Sequence, residues 1–473
     1  MATFVFLQEI AFSALGPMYL SAVLKKNGHK CYLYVEELEK DLLKKVEEIK
    51  PDYVAFSTFT GQHVWALKWA KKIKEELGIP NIFGGPHVTH YPDLIEKHSF
   101  VDIVCIGEAE YAFLELANKT DAKEDISKIK NLWVRKNKDI HKNELRSLIE
   151  NLDELPFPDR ELYYKYKVFR NRDIKRFLAS RGCPYDCIFC HNHADKRLYV
   201  KKGKWARKRS PENVIKEIEE VKNKYPLRVM MPLDDHFLND REWVFEFLKL
   251  YKERIGLDFV INSRPEAIDE EIVLALKEAN CKGVAISIES ASERLRNEVL
   301  KKFIKDEQII NAVKLLKKHK IIVKTFNMIG LPGETLEQAF ETIRMNIKLR
   351  PFYARCALLS PYPDTDLYKL AFEKGLIDEN FDMEKYTQNY MEKSLLKIPD
   401  RNKFVNLQKF FSLVVAFPFL LPLVKKLINK SPNKIFDKIG TLTFGYFGAR
   451  YFGYSLKDMI KTSKSFIKNN HPP

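Results

Sequence analysis

Two series of short apolar runs alternating with amphipathic stretches, separated by a polar interval, restrict this chain to α/β architecture. In the first series, residues 3–7, 30–35, 53–57, 81–83 and 103–106 have strand length and are punctuated by Asn27-Gly28 and Gly84-Gly85-Pro86. Helical patterns fill the intervals at 17–27, 37–49, 64–77 and 92–97. Strands alternating with helices pair in parallel, so a doubly wound, flavodoxin-like sheet is predicted over residues 1–125. Ligands of such sheets sit at the carboxyl ends of the strands. Here those ends carry Ser57-Thr58-Phe59-Thr60-Gly61, Gly84-Gly85-Pro86-His87 and Gly107-Glu108-Ala109-Glu110.

Residues 126–172 are polar and turn-rich (Leu152-Asp153-Glu154-Leu155-Pro156-Phe157-Pro158-Asp159) and read as a linker. The second series spans 173–385, with strand patterns at 176–179, 228–231, 258–261, 283–288, 321–329 and 356–359. Amphipathic helices at 212–225 and 271–279 separate some of them. Six strand–helix units indicate a partial or complete β/α barrel. A helical C-terminal region is expected over 386–473. Its apolar run from Phe410 to Val424 (FFSLVVAFPFLLPLV) contains two prolines and falls short of the roughly 20 residues a spanning helix needs. It predicts a buried helical hairpin on the barrel, or a surface that dips into lipid beside Lys425, Lys426, Lys430 and Lys434.

Charge leaves partners open. The net +16, from 80 basic and 64 acidic residues, suits a well-solvated Lys-rich surface or attraction to an anionic partner. The N-terminus, MATFVFLQEI, has no basic n-region and reads as a first strand, so a cytoplasmic protein is expected. The seven cysteines do not form a disulfide framework by count. Three of them fall within eight residues: Cys183-Pro184-Tyr185-Asp186-Cys187-Ile188-Phe189-Cys190. Three thiolates at this spacing suit zinc, with His191, His193 or His236 as a fourth ligand, or an iron–sulfur cluster. A four-iron cluster on three cysteines leaves one iron open, as a catalytic metal requires.

The C-x3-C-x2-C spacing, with Phe189 before the last cysteine and at the mouth of a β/α series, resembles the radical SAM superfamily. More narrowly, it resembles its cobalamin-binding-domain members, which include class B methylases and the anaerobic magnesium-protoporphyrin cyclase. The resemblance covers roughly residues 1–380. It implies a [4Fe-4S] cluster on Cys183, Cys187 and Cys190 that cleaves S-adenosyl-L-methionine to a 5′-deoxyadenosyl radical. It also implies contacts to that cofactor from Phe189, Asp234, Asp235, Asn262, Arg264, Ser287, Glu289, Gly330 and Pro332. Arg264 and Glu289 would offer both signs to a zwitterionic amino acid, and Glu289 would accept from a ribose. Cobalamin would lie against Gly16, Pro17, Ser57, Thr58, Thr60, Gly84, Gly85, His87, Gly107, Glu108 and Glu110, although the Asp-x-His-x-x-Gly cobalt-ligand motif is absent.

The expected activity is methylation of an unactivated carbon, with radical cyclisation, oxidation or carbon–carbon coupling on a tetrapyrrole or lipid as the alternative. The expected partners are a small-molecule or lipid-like substrate and a flavodoxin- or ferredoxin-type electron donor, under anaerobic conditions, with peripheral contact at the inner membrane face. A tRNA-directed methylthiotransferase or RNA-binding zinc protein is a third reading. It is motivated by the basic run 201–209 and opposed by the lack of a second cysteine triplet or a β tail.

Overall fold

The computed structural model describes residues 1–386 and 394–455, which form two units: 1–172 with 195–209 and 382–386, and the remaining described residues. Of the C-terminal region expected over 386–473, residues 387–393 and 456–473 lie outside the described residues.

The first unit is built on seven strands: β1 (Thr3–Gln8), β2 (Lys30–Val35), β3 (Tyr53–Ser57), β4 (Asn81–Gly84), β5 (Ile103–Cys105), β6 (Leu132–Lys136) and β7 (Asp139–Lys142). Their order is β2-β1-β3-β4-β5-β6-β7, with the first five parallel. The strands are apolar on both faces because helices cover both, as in other parallel sheets. Val5, Leu7, Val54, Phe56, Phe83 and Val104 pack on Val46, Ala66, Ala70 and Ile73 of the flanking helices.

The stretch 126–172 differs from the expected linker. β6 and β7 pair antiparallel and extend the sheet, with Val134 opposite Ile103. Beyond them Leu148, Leu152, Leu155, Leu162, Tyr163 and Phe169 are buried. Their spacing follows neither the strand nor the helix period, so no pattern announces the burial.

The second unit holds six parallel strands in consecutive order: Ile174–Phe177, Val229–Pro232, Asp258–Ser263, Cys281–Glu289, Ile322–Ile329 and Tyr353–Leu358. We number these the first to sixth barrel strands. The sixth is an edge, and exposed edges invite unwanted pairing. Helix Arg401–Ala416 covers it. Gln408 Nε2 donates to the Cys356 carbonyl at 3.1 Å and Ser412 Oγ to that of Ala354 at 2.6 Å. Phe404, Leu407, Phe411 and Val414 of the same helix pack on Ala354, Cys356 and Leu358.

Helix Lys434–Tyr451 ends against the N-terminal starts of the barrel strands. Tyr451 seats against Gly283, where a Cβ would lie 2.9 Å from the ring, beside Val229 and Val260. Arg228 Nη1 donates to the Phe452 carbonyl and Tyr454 to Asp173 just before the first barrel strand, at 2.9 and 2.6 Å. The first half of the apolar run is thus core, as the hairpin expectation had it. No described helix is long and apolar enough to cross a membrane.

Candidate active site

After the first barrel strand, Gly182 turns the chain at φ +78 and starts the cysteine loop. One side chain organises that loop. The Cys183 N–H donates to Asn192 Oδ1 at 3.0 Å, and Asn192 Nδ2 donates to Asp235 Oδ2 at 2.9 Å and towards Cys190 Sγ at 3.6 Å. Asn192 sits in the first turn of helix His191–Leu198, which begins directly after the third cysteine. His193 closes the same loop, with Nδ1 2.5 Å from the Cys190 carbonyl and Nε2 accepting from the Asp366 N–H at 3.2 Å. That arrangement engages both ring nitrogens and makes the side chain a strut.

All seven cysteines are unbridged. Burial pushes the Cys183 thiol up to about 11 and Cys190 to about 12, so both keep their protons until a metal displaces them. N–H donors stand at two of the three sulfurs, Asn192 at Cys190 and Arg264 Nη1 at Cys187 at 3.3 Å. Such donors stabilise cluster thiolates and tune cluster potential. Among the described residues no three His, Cys, Asp or Glu side chains converge on a single ion. Three thiols on one loop, with N–H donors at two of the sulfurs, are a donor set that would hold an iron–sulfur cluster with one iron left open. Asn192→Ala is therefore expected to lower cluster occupancy about 10–100-fold, read as iron and sulfide per chain after reconstitution at limiting iron.

The strand ends distribute the other expected residues unevenly. Asp234 is buried and fastens the first strand end, accepting from the Ala179 N–H at 3.2 Å and from the Ser180 hydroxyl. Asp235 is exposed, and Asn262 and Ser287 are partly exposed. Arg264 does not present a free cation. Besides Cys187, it donates to the Lys302 carbonyl at 2.6 Å and pairs with Glu266, and its guanidinium stacks 3.7 Å over Tyr185. Glu289 accepts from Lys302 Nζ at 2.5 Å with both residues buried. Its φ of +66 is rare for a non-glycine residue, where the register slips against the fifth strand. The expected zwitterion clamp is instead a continuous chain, Cys187–Arg264–Lys302–Glu289. Phe189 lies 5.6 Å under the Lys302 ammonium. Asn192, Ser180, Tyr185 and Lys302 were not found from sequence, because no local pattern pairs them with the Asp235, Asp234, Arg264 and Glu289 that they meet.

Gly330 and Pro332 lie in a turn held by Glu334. Its Oε2 accepts from the Gly330 and Leu331 N–H groups at 2.6 and 2.9 Å, and its buried Oε1 has no partner among the described residues. Burial raises its pKa from 4.5 to about 7. The folded state then holds a proton that the unfolded chain has released, so stability is full below pH 4.5 and falls as pH rises to about 7. The loss is on the order of 3 kcal/mol. Glu334→Gln is expected to flatten the melting temperature across that window.

In the first unit, the loops after β3 and β4 brace each other. Thr58 donates through N–H and Oγ1 to the Gly84 carbonyl at 2.8 and 3.1 Å, and the His87 N–H donates to the Thr58 carbonyl at 3.0 Å. Gly85, at φ +93, has room only for hydrogen, since a Cβ would lie 2.8 Å from the Thr58 backbone. His87 is buried, bonds Thr60 Oγ1 through Nδ1 at 3.1 Å and stacks on His63 at 3.8 Å. Burial, then His63, push its imidazole down to about 3, so it is neutral. Around this bare backbone Gly16, Ser57 and Phe59 are exposed, while Pro17 is buried. An open strand-end surface with side chains withdrawn at Gly84-Gly85 fits a large flat ligand.

The third loop is different. Glu108 is taken up by Arg207, whose Nη2 lies 2.8 Å away, and by the Ile149 N–H at 3.0 Å. Gly107 abuts the Tyr199 hydroxyl, and Glu110 is buried. Part of the basic run is likewise committed within this unit, while Lys201 and Lys204 are exposed. Arg207 and Arg209 are buried, and Lys202 donates to the Leu145 carbonyl at 2.7 Å.

Residues 177–345 match the family model of the Radical SAM superfamily, and residues 11–117 that of the B12 binding domain. An uncharacterized methyltransferase of Pyrococcus horikoshii is 32% identical over 77% of this chain and 79% of its own length. The anaerobic magnesium-protoporphyrin IX monomethyl ester cyclase of Rubrivivax gelatinosus is 28% identical over 78% and 67%. In three dimensions the chain resembles the radical S-adenosylmethionine methyltransferase TsrM from Kitasatospora setae. The TM-score is 0.70 at 15% identity, over 98% of this chain and all of that one, a likeness of fold.

Proposed function

The chain belongs to the radical SAM superfamily, in the branch that also carries a B12 binding domain, and on that footing we propose that it methylates an unactivated carbon of a small-molecule or lipid-like substrate. When bound, the [4Fe-4S] cluster, S-adenosylmethionine and cobalamin supply a hydrogen-abstracting 5′-deoxyadenosyl radical and a methyl donor that a carbon without a lone pair can use. The chain's own residues position and shield. Cys183, Cys187 and Cys190 present three sulfurs, and Asn192 and Arg264 aim N–H donors at two of them. Asp235, Asn262, Ser287, Phe189, Gly330 and Pro332 are assigned to contact S-adenosylmethionine. Asp234, Arg264 and Glu289 act through the neighbours they hold. Gly16, Ser57, Thr58, Thr60, Gly84, Gly85 and His87 are assigned to cobalamin.

The observation that carries the reading is the three-thiol loop, with its N–H donors, in a chain that also matches a B12 binding domain. A one-electron donor of the flavodoxin or ferredoxin class, anaerobic cytoplasmic operation and peripheral contact at the inner membrane face complete it. The test is anaerobic turnover with reductant, cobalamin and isotopically labelled methyl. A product heavier by one methylene supports methyl transfer, and deoxyadenosine without any methylated product rejects it. The second reading, radical cyclisation or oxidation, draws support from the cyclase relative. Its product would lose hydrogen or gain oxygen.

A further inference from the structure

We propose that residues 416–423 form a shallow anchor that inserts into the face of an anionic lipid bilayer. The turn between helices Arg401–Ala416 and Leu421–Leu427 reads Ala416-Phe417-Pro418-Phe419-Leu420-Leu421-Pro422-Leu423, without one polar side chain. None of the eight is buried, and Phe419, Leu423 and Phe417 are 76%, 52% and 45% exposed. On either side the pattern reverses: Phe410, Phe411, Val414, Val415 and Val424 are buried in the barrel-side core. The membrane contact expected across the whole run from Phe410 to Val424 is therefore confined to its turn. Pro418 opens the 3-10 turn Pro418–Leu420 and Pro422 lies in the first turn of the next helix, so the apolar tip is held in a stiff bend. Single exposed apolar residues are ordinary on a protein surface, whereas a contiguous run marks an interaction site.

Charge identifies the occupant. Between residues 401 and 455 the sole acidic residue is Asp437, against nine Lys or Arg. Asp437 lies 3.4 Å from Lys409. Lys425, Lys426, Lys430, Lys434 and Lys438 follow the tip directly and are all exposed. An apolar wedge with lysines behind it matches a bilayer face, with acyl chains for the wedge and acidic headgroups for the ammonium groups. A second copy of this chain would bring like charges together. With no described helix able to cross a membrane, the contact is shallow and reversible.

The test is flotation of the full-length protein with vesicles of phosphatidylcholine alone, and of phosphatidylcholine with phosphatidylglycerol, at low and high salt. Flotation with the anionic vesicles, weakened by salt, is expected. Phe417→Ser/Phe419→Ser/Leu423→Ser and Lys426→Glu/Lys430→Glu/Lys434→Glu should each lower the bound fraction by at least about ten-fold. Both should keep the wild-type melting temperature and iron content. Wild type that stays unbound, or a serine variant that floats undiminished, overturns the proposal. So does a sedimentation dimer dissolved by the serine variant, which would assign the tip to a second copy. Neither readout involves turnover, so the result is independent of methyl transfer.

Discussion

Replacement of Cys183, Cys187 and Cys190 by alanine is expected to leave a folded chain with no iron, no inorganic sulfide and no formation of deoxyadenosine under dithionite. The loop's course does not depend on the sulfurs. The Asn192 bonds to Cys183 N–H and Asp235, and the His193 bonds to Cys190 O and Asp366 N–H, all involve backbone or other side chains. The expected cost is therefore to chemistry, with little change in melting temperature. Single replacements should do nearly the same, because two sulfurs cannot hold the cluster with one iron left open. Undiminished cleavage in the triple variant, or a wild-type metal centre of zinc without sulfide, would end the assignment.

Lys302→Met is expected to destabilise the protein by about 3–5 kcal/mol, the usual consequence of stranding one partner of a buried ion pair. Lys302 and Glu289 are 4% and 5% exposed, and the ammonium lies 2.5 Å from the carboxylate. Removing the ammonium leaves Glu289 without its buried counter-charge at a backbone position, φ +66, that is already unfavourable. The double variant Glu289→Leu/Lys302→Met should recover much of the stability, because an apolar pair of similar volume carries no desolvation cost. Denaturant unfolding of the cluster-free protein separates this from any effect on cofactor binding. A single variant as stable as wild type would show that water reaches Glu289 in solution.

Much of the secondary structure was legible in the sequence. The runs 30–35 and 53–57 coincide with β2 and β3, because apolar strands between Gly, Pro and Asn have few other solutions. The barrel strands were displaced by a residue or more at several ends. The run 356–359 marks only the later part of Tyr353–Leu358, since Arg355 breaks the apolar pattern. The hairpin β6–β7 was missed because Arg135, Lys136, Lys142 and their neighbours make both strands look like a solvated loop. At the site, the cysteine loop was legible because cluster ligation demands fixed residue types at short spacing.

The roles of Arg264, Glu289 and Glu108 were not legible. Each is set by a partner outside its own strand end: Arg264 by Cys187 at 77 residues, Glu108 by Arg207 at 99 and Glu289 by Lys302 at 13. A charged side chain at a strand end can serve a ligand or a neighbour, and the sequence lists the charge without its counter-charge. The sequence by itself determined the two α/β units and the three thiols, because periodicity and ligand spacing are local properties of the chain. Only the tertiary structure decided which polar groups are engaged as struts, which remain open to a cofactor, and where the apolar C-terminal run turns from core to surface. Hydrogen bonding and burial depend on what packs beside a residue, and that neighbour comes from elsewhere in the chain.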